Sequence, residues 1–209
     1  MKRLWVVLIG MGLLALIFLL GAVGSYNGLA TSAQGVDQQW AQVQNVYQRR
    51  ADLVPNLVAT VSGAAHFEQS TLVAVTEARA SVGKVTVNPG TAPNDAATLQ
   101  QFEQAQGNLS NALSRLLVVV EKYPDLKSNE NFLNLQAQLE GSENRIAVER
   151  EKFNHAVQDY NSRVVRFPTL IMARLGGFAT KPYFSAAPSA ATPPPVQFDF
   201  GNPTTVPAH

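Results

Sequence analysis

The sequence contains no cysteine, only three histidines and almost no excess of charge. Without cysteine the chain can form no disulfide, thiolate zinc site, cysteine nucleophile or lipid-modified cysteine anchor. The 16 Lys and Arg residues against 15 Asp and Glu leave a net charge of +1, with no basic stripe of the kind that binds nucleic acid. We therefore expect a fold held by apolar packing and no nucleic-acid partner.

Sequence motifs for catalysis and metal binding are missing as well. The chain has no HExxH, GxSxG, P-loop or glycine-rich dinucleotide motif. Its histidines are His66, His155 and His209, and Glu151 and His155 share a helical face at i,i+4. A four-helix di-metal site would need Glu-x-x-His pairs, which do not occur. We expect neither an enzyme nor a metal or cofactor, and we identify no small-molecule substrate.

One long apolar segment lies near the N-terminus. From Leu4 to Val23 the chain reads LWVVLIGMGLLALIFLLGAV, without a charged residue. At about 1.5 Å per residue such a helix spans roughly 30 Å, the thickness of a bilayer's hydrocarbon core. A cleaved signal peptide is the alternative, but its apolar region usually has only about 7–15 residues. We expect a membrane anchor that includes Leu4, Trp5, Leu8, Leu13, Ile17, Phe18 and Val23.

Charge bias around the anchor predicts its orientation. Lys2 and Arg3 precede it, and the next basic residue is Arg49. The positive-inside rule then puts the N-terminus in the cytoplasm and the following domain outside. We divide the chain into a stub with the anchor at 1–24, a helical domain at 25–184 and a tail at 185–209. The tail is rich in Pro and Ala, and we expect it to be disordered.

Heptad spacing of apolar residues predicts three long helices after the anchor. The first runs from about 29 to 81 and contains Pro55. Proline removes a backbone donor and clashes with the carbonyl of Ala51, so we expect a kink or break at 51–54. Asn56 is placed to bond a carbonyl freed by that kink.

The two later helices have clear start and stop signals. Asn94 or Asp95 can cap the second helix, and Ser128 or Asn129 the third. Pro168 closes the third helix or starts a short one at 169–175, which Gly176-Gly177 would end. The expected fold class is all-α: an N-terminal transmembrane helix followed by an antiparallel bundle of three long helices plus a short C-terminal helix.

Arg50 is a charged residue at a seam position of the first helix, seven residues after Val43 and seven before Leu57. A buried guanidinium is costly unless it is paired. We predict that Arg50 pairs with Glu143 or Glu140 across the bundle and fixes helix register. A solvated arginine at the edge of the bundle is the alternative.

The predicted first helix is longer than the other two, so part of its apolar stripe would be left uncovered. Either Pro55 folds the helix back, or the uncovered part meets another subunit. The second option predicts a homo-oligomer that associates through Val36, Trp40, Val43 and Tyr47.

Three stretches resemble the LemA family. They are QRRADLVPNLV at 48–58, REKFNHAVQDYNSRVVRFP at 150–168 and GFATKPYF at 177–184, and Tyr26-Asn27 after the anchor fits as well. The resemblance implies a bacterial protein with one N-terminal membrane helix, an antiparallel helical bundle and no assigned reaction. The matching positions are Arg49, Arg50, Leu53, Pro55, Asn56, Leu57, Asn154, Tyr160, Asn161, Phe167, Pro168, Gly177, Phe178, Pro182, Tyr183 and Phe184.

Two functions are compatible with this sequence. The first is a non-catalytic scaffold or assembly protein at the bacterial inner membrane, acting through self-association or envelope proteins. The alternative is a membrane-tethered adaptor or sensor that recruits or regulates an envelope protease or signalling protein. Asn154 and Asn161 follow the seam residues Phe153 and Tyr160, and we expect them to bond a neighbouring helix.

Overall fold

Six α-helices make up the part of the chain that the computed structural model describes, residues 2–63, 67–85 and 88–185. Within those residues there is no β-strand, and the predicted all-α class is confirmed. His66, His209 and nearly all of the tail, residues 186–209, lie outside the described residues. The helices are α1 Lys2–Ser62, α2 Gln69–Lys84, α3 Ala96–Val120, α4 Pro124–Lys127, α5 Glu130–Val165 and α6 Thr169–Leu175.

Helix α1 carries the apolar segment and continues into the bundle. Its 61 residues correspond to roughly 90 Å of helix. Among the described residues it is the one helix long and apolar enough to cross a membrane, with a mean hydropathy of 2.9 in its most apolar window. The predicted anchor side chains are exposed: Leu4, Trp5, Leu8, Leu13, Ile17, Phe18 and Val23.

The first helix ends earlier than predicted. It stops at Ser62 rather than near residue 81, and α2 then runs back along its second half. The break does not occur at Pro55, through which α1 is continuous. Gly63 follows the last helical residue, and glycine commonly ends helices. The option in which Pro55 folds the helix back is therefore wrong.

Arg79 on α2 supplies the hydrogen bond that Pro55 removes from α1. Its Nε donates to the Ala51 carbonyl at 3.0 Å, the group left without an i+4 partner. Asn56 was expected near a freed carbonyl, but its side chain is exposed and Arg79 takes this role.

The predicted caps of the later helices are present. Asp95 caps α3 by accepting from the Thr98 backbone N–H at 2.7 Å, and this bond lowers the pKa of Asp95. Asn129 caps α5 through the N–H groups of Asn131 and Phe132. Helix α6 spans the predicted range, Thr169–Leu175, and is followed by Gly176-Gly177.

The long helices α1 and α5 are antiparallel, since Arg50 meets Glu143 while Gly28 lies beside Arg163. At 36 residues, α5 is about 54 Å long, enough to cover α1 from residue 28 to its end. The predicted self-association stripe is therefore wrong, because it is buried inside one chain. Its members are Val36, Trp40, Val43 and Tyr47.

Two apolar clusters lie along α1. The membrane-proximal core, nearer the apolar span, contains Leu29, Val36, Trp40, Val43, Tyr47, Leu99, Phe102, Ile146, Phe153, Val157, Tyr160, Val164, Ala173 and Phe184. The membrane-distal core contains Val54, Leu57, Val61, Val75, Leu109, Leu113, Leu116, Val120, Leu126, Phe132, Leu135 and Leu139.

Candidate functional site

Arg50 lies on α1 between the two cores and is only 1% exposed. Its Nη1 donates to Oε1 of Glu143 at 2.6 Å and to the Ser110 hydroxyl at 2.7 Å. Its Nη2 donates to Oε1 of Gln106 at 2.5 Å and to the Gln106 carbonyl at 3.2 Å. The guanidinium also lies over the Tyr47 ring. One buried cation thus links α1, α3 and α5.

Of the two acids proposed as partners, Glu143 contacts Arg50 and Glu140 does not. Glu140 is exposed and accepts from Gln136 one turn earlier on α5. Glu143 is itself 46% exposed, so this ion pair lies at the edge of the core. The role of the pair in fixing helix register remains a prediction.

The partners of Arg50 on α3 were missed in the sequence. Gln106 lies four residues after Phe102 and three before Leu109, an interior position occupied by a polar residue. A polar residue at such a position signals a buried partner, so it could have been paired with Arg50.

After α6 the chain forms an extended segment, residues 178–185, here called the C-terminal strap, which lies along α5. Asn161 donates to the Lys181 carbonyl and accepts from the Lys181 N–H, both at 2.9 Å. Asn154 makes the same pair of bonds with Phe184, at 3.2 and 2.9 Å. The two asparagines were expected to bond a neighbouring helix, but they bond the strap instead.

This arrangement follows from spacing. Asn154 and Asn161 are seven residues apart and lie on one face of α5. An asparagine side chain has one acceptor and one donor group, so it can bond both main-chain groups of a single residue. Tyr160 adds a hydrogen bond to the Ala179 carbonyl at 2.9 Å, and burial raises its pKa.

Lys181 connects the middle of the strap to α1 and to the loop before α3. Its buried Nζ lies 3.3 Å from Oδ1 of Asp37 on α1 and 3.1 Å from Oδ1 of Asn94. Asp37 also accepts from the Ala92 N–H at 3.0 Å. Sequence reasoning missed Lys181 and Asp37, although Asp37 is the first charged residue after the anchor and falls beside the seam residue Val36.

Phe184 closes the membrane-proximal core at the end of the strap. Its ring lies 5.9 Å from that of Trp40 and 5.2 Å from that of Phe153. The Arg150 guanidinium covers the ring at 4.6 Å, and its Nη2 donates to Glu103 at 2.8 Å and to the Ser185 carbonyl at 3.0 Å. Burial raises the pKa of Glu103, and Arg150 opposes this rise.

The structure brings some of the positions that carry the family resemblance together at the strap and places others elsewhere. Asn154, Tyr160 and Asn161 meet the strap, and Leu57 lies in the membrane-distal core with Leu53 packed against it. Phe167 and Pro168 lie apart, at the corner before α6. Arg49 is exposed. We call Asn154, Asn161 and the strap that they bond the clasp. In it, two side-chain amides hold an extended main chain.

Glu151 and His155 lie outside this clasp. Both side chains are exposed on α5, with His155 Nε2 3.8 Å from Glu151 Oε1. Their position is that of a solvent-facing i,i+4 pair.

Comparison with known proteins supports the resemblance. The profile of the LemA family matches residues 39–198. Magnetosome protein MamQ of Magnetospirillum gryphiswaldense is 28% identical over 187 residues, which cover 80% of this chain and 67% of that protein. Protein LemA of Metamycoplasma hominis is 23% identical over 158 residues, with 76% and 68% covered. The matched region contains the Arg50 cluster and the whole strap, and the chain belongs to the LemA family.

Proposed function

We propose that this protein is a non-catalytic, membrane-anchored helical scaffold or assembly protein of the bacterial cell envelope. The continuity of α1 carries the proposal, because one uninterrupted helix joins the apolar span to the bundle. A bundle mounted in this way holds a fixed orientation over the bilayer, as a scaffold requires. Similarity to proteins named for a cellular structure, the magnetosome, supports a role in assembly rather than in a reaction.

The partners of such a scaffold are further copies of the chain or other envelope proteins. The buried stripe on α1 is not available to them, so contacts must use surfaces outside the core. A groove of about 740 Å³ between α2 and α3 lies at the end of the bundle far from the anchor. Its lining combines small side chains such as Ala74 and Ala78 with polar and apolar ones, including Asn108, Asn111 and Val118.

Photocrosslinking in native membranes tests this proposal. A benzophenone amino acid replaces Asn111 in the groove, and the matched variant carries it at Asn134, an exposed position on α5. We expect protein adducts from position 111 and few from position 134. A full-length protein that gives no adduct at either position, and stays monomeric in nanodiscs at high concentration, would overturn the scaffold proposal.

The same groove favours a second candidate, an adaptor or sensor for an envelope protease or signalling protein. Small side chains such as Ala74 and Ala78 allow a partner helix to approach closely. Repeated self-adducts or adducts with several proteins support the scaffold, whereas one stoichiometric partner supports the adaptor.

We further propose a cytoplasmic N-terminus and a domain outside the cytoplasm at the inner membrane. The support is the charge bias of Lys2 and Arg3. Because the chain lacks cysteine, an Asn134→Cys variant can be labelled at a single site. A membrane-impermeant maleimide should label it in cells whose outer layers are opened and whose inner membrane is intact. Labelling only after lysis would reverse the orientation.

A further inference from the structure

Helix α6 packs against the end of the apolar span and also contributes Ala173 to the membrane-proximal core. A small cavity of about 190 Å³ between them is lined by Phe18, Gly21, Ala22 and Ser25 of α1 and by Pro168, Ile171 and Met172. The small residues Gly21, Ala22 and Ser25 let the second helix come close. From Phe18 to Val23 the span rises roughly 7–8 Å. Helix α6 therefore lies level with the outermost part of the span.

Around this contact, large apolar side chains face away from the protein. Phe167 is 75% exposed and Leu175 is 78% exposed, and Val165 and Ile171 are exposed as well. They fall within eleven residues of sequence, next to the end of the anchor. A soluble surface rarely gathers so many large apolar groups in one place without a partner. The apolar patch is continuous with the exposed surface of the span.

The exposed charges on the patch are the arginines Arg163, Arg166 and Arg174, and residues 160–185 contain no Asp or Glu. The nearest acid in the sequence is Asp159, one turn before Arg163. None of the three arginines forms an ion pair within the described residues. Nearby, Tyr26 contacts Phe178 with ring centroids 5.4 Å apart, placing aromatic side chains where membrane proteins concentrate them.

We propose that the corner between α5 and α6, together with α6, is a second membrane contact that binds an anionic phospholipid surface. Phe167, Ile171 and Leu175 enter the interfacial region of the bilayer. Arg163, Arg166 and Arg174 contact the lipid phosphates. An interfacial helix buries its apolar face by about 5–10 Å, which agrees with the level of α6 beside the span. The inference rests on the membrane anchoring in the proposed function.

Site-directed spin labelling of the full-length chain in lipid nanodiscs tests this inference. Because the sequence has no cysteine, each label site needs one substitution. Phe167→Cys and Leu175→Cys report on the patch, Leu13→Cys on the span, and Leu133→Cys on an exposed apolar position of α5 far from the span. The measurement is the ratio of collision with oxygen to collision with a water-soluble nickel chelate.

We expect labels at 167 and 175 to give ratios between those at 13 and 133, and about threefold or more above the ratio at 133. Ratios at 167 and 175 equal to that at 133, with a lipid-like ratio at 13, would overturn the inference and leave the anchor in place. A water-like ratio at 13 would instead overturn the membrane anchoring on which both proposals rest.

The lipid headgroup is tested by comparing phosphatidylcholine discs with discs that also contain phosphatidylglycerol. The triple variant Arg163→Gln, Arg166→Gln, Arg174→Gln should lower the ratio at 175 in the anionic discs and have little effect in the neutral ones. A control variant replaces the exposed Arg49, Lys122 and Arg145 by glutamine and should change neither. Equal effects of the first variant in both lipids, or equal effects of the two variants, would overturn the assignment to anionic headgroups.

Discussion

Six of the fifteen buried residues of the membrane-proximal core are aromatic, whereas eleven of the thirteen in the membrane-distal core are leucine or valine and one is aromatic. Trp40, Phe102, Phe153 and Phe184 pack ring to ring in the first, with centroids 5.2–5.9 Å apart. Interlocking aliphatic residues from five helices, α1 to α5, fill the second. The buried Arg50 separates them.

The two cores are also closed in different ways. Helix α2 covers the distal core with a regular helix face, and Val75 is its fully buried residue. The C-terminal strap covers the proximal core and depends on polar groups that grip its main chain. Helix α2 can pack on the distal core through any apolar residues with helical spacing. The strap is held only where particular side chains, such as Asn154 and Asn161, meet its main chain. We therefore expect the proximal core to be the less tolerant of substitution.

The largest expected effect is at Phe184. Phe184→Ala removes a ring buried against Trp40 and Phe153 and should lower the free energy of unfolding by about 4 kcal/mol. The matched variant is Tyr183→Ala, whose ring is half exposed and should cost much less. Chemical denaturation of both variants measures the difference. Equal losses would show that the strap is not an integral part of the proximal core.

The next effect concerns the boundary between the cores. Arg50→Met removes the hydrogen bonds to Glu143, Ser110 and Gln106 and should cost about 3 kcal/mol. Arg49→Met changes the exposed neighbour and should stay within about 0.5 kcal/mol. Thermal unfolding and oligomeric state are measured for both. An Arg50→Met protein with unchanged stability and oligomeric state would contradict the register hypothesis.

A smaller effect tests the grip on the strap. Asn161→Ala removes two hydrogen bonds to Lys181 and should cost about 1.5 kcal/mol. Asn134→Ala makes the same change at an exposed position of α5 and controls for helix propensity. Amide exchange of Lys181 should accelerate only in the first variant. If both variants left this exchange slow, the clasp would not hold the strap.

At the distal core, Arg79 and Pro55 form a testable pair. Arg79→Ala leaves the Ala51 carbonyl without its donor and should cost about 1 kcal/mol. Pro55→Ala restores a backbone N–H that can bond this carbonyl, so Arg79→Ala should cost less in that background. A double-mutant cycle measures the coupling. Strict additivity would show that Arg79 does not replace the missing bond.

The smallest effect is a pH dependence at the edge of the proximal core. Burial raises the pKa of Glu103 above its ordinary value of 4.5. Just above pH 4.5, Glu103 therefore binds more protons in the folded chain than in the unfolded chain, and this difference stabilises the fold. The added stability is lost as pH rises through the raised pKa. Denaturation of the wild type and Glu103→Gln between about pH 4 and pH 7 isolates it. The wild type should lose stability relative to the variant; a relative gain would show that the Arg150 pair dominates.

The distal core and the helix caps could be read largely from sequence. Apolar residues at alternating spacings of three and four, with Asp95 and Asn129 as caps, predict α3 and α5, because helix geometry is local. The end of α1 at Ser62 was missed because Val61 and Val75 share one heptad register, which favoured a continuous helix over the stop signal of Gly63.

The clasp was harder to predict. Its positions matched the family pattern, but no repeat in the sequence indicates which groups Asn154 and Lys181 bind. An extended segment that pairs with side-chain amides carries no hydrophobic repeat of its own. The buried stripe on α1 was misread for the same reason, since the strap that helps cover Trp40 could not be counted as a packing element.

The absence of a joint in α1 has a geometric consequence for the whole molecule. Each residue of an α-helix turns the chain by about 100° and advances it by about 1.5 Å. The number of residues between Val23 and Leu29 therefore sets the rotational phase of the bundle relative to the bilayer. With this spacing, α1 meets α6 at Gly21 and Ser25, and Tyr26, about 100° further around the helix, contacts the strap's first ring, Phe178. One residue more or less would rotate the bundle by about 100° relative to the span. The length of this helix therefore sets both the height of the bundle above the bilayer and the direction in which it faces.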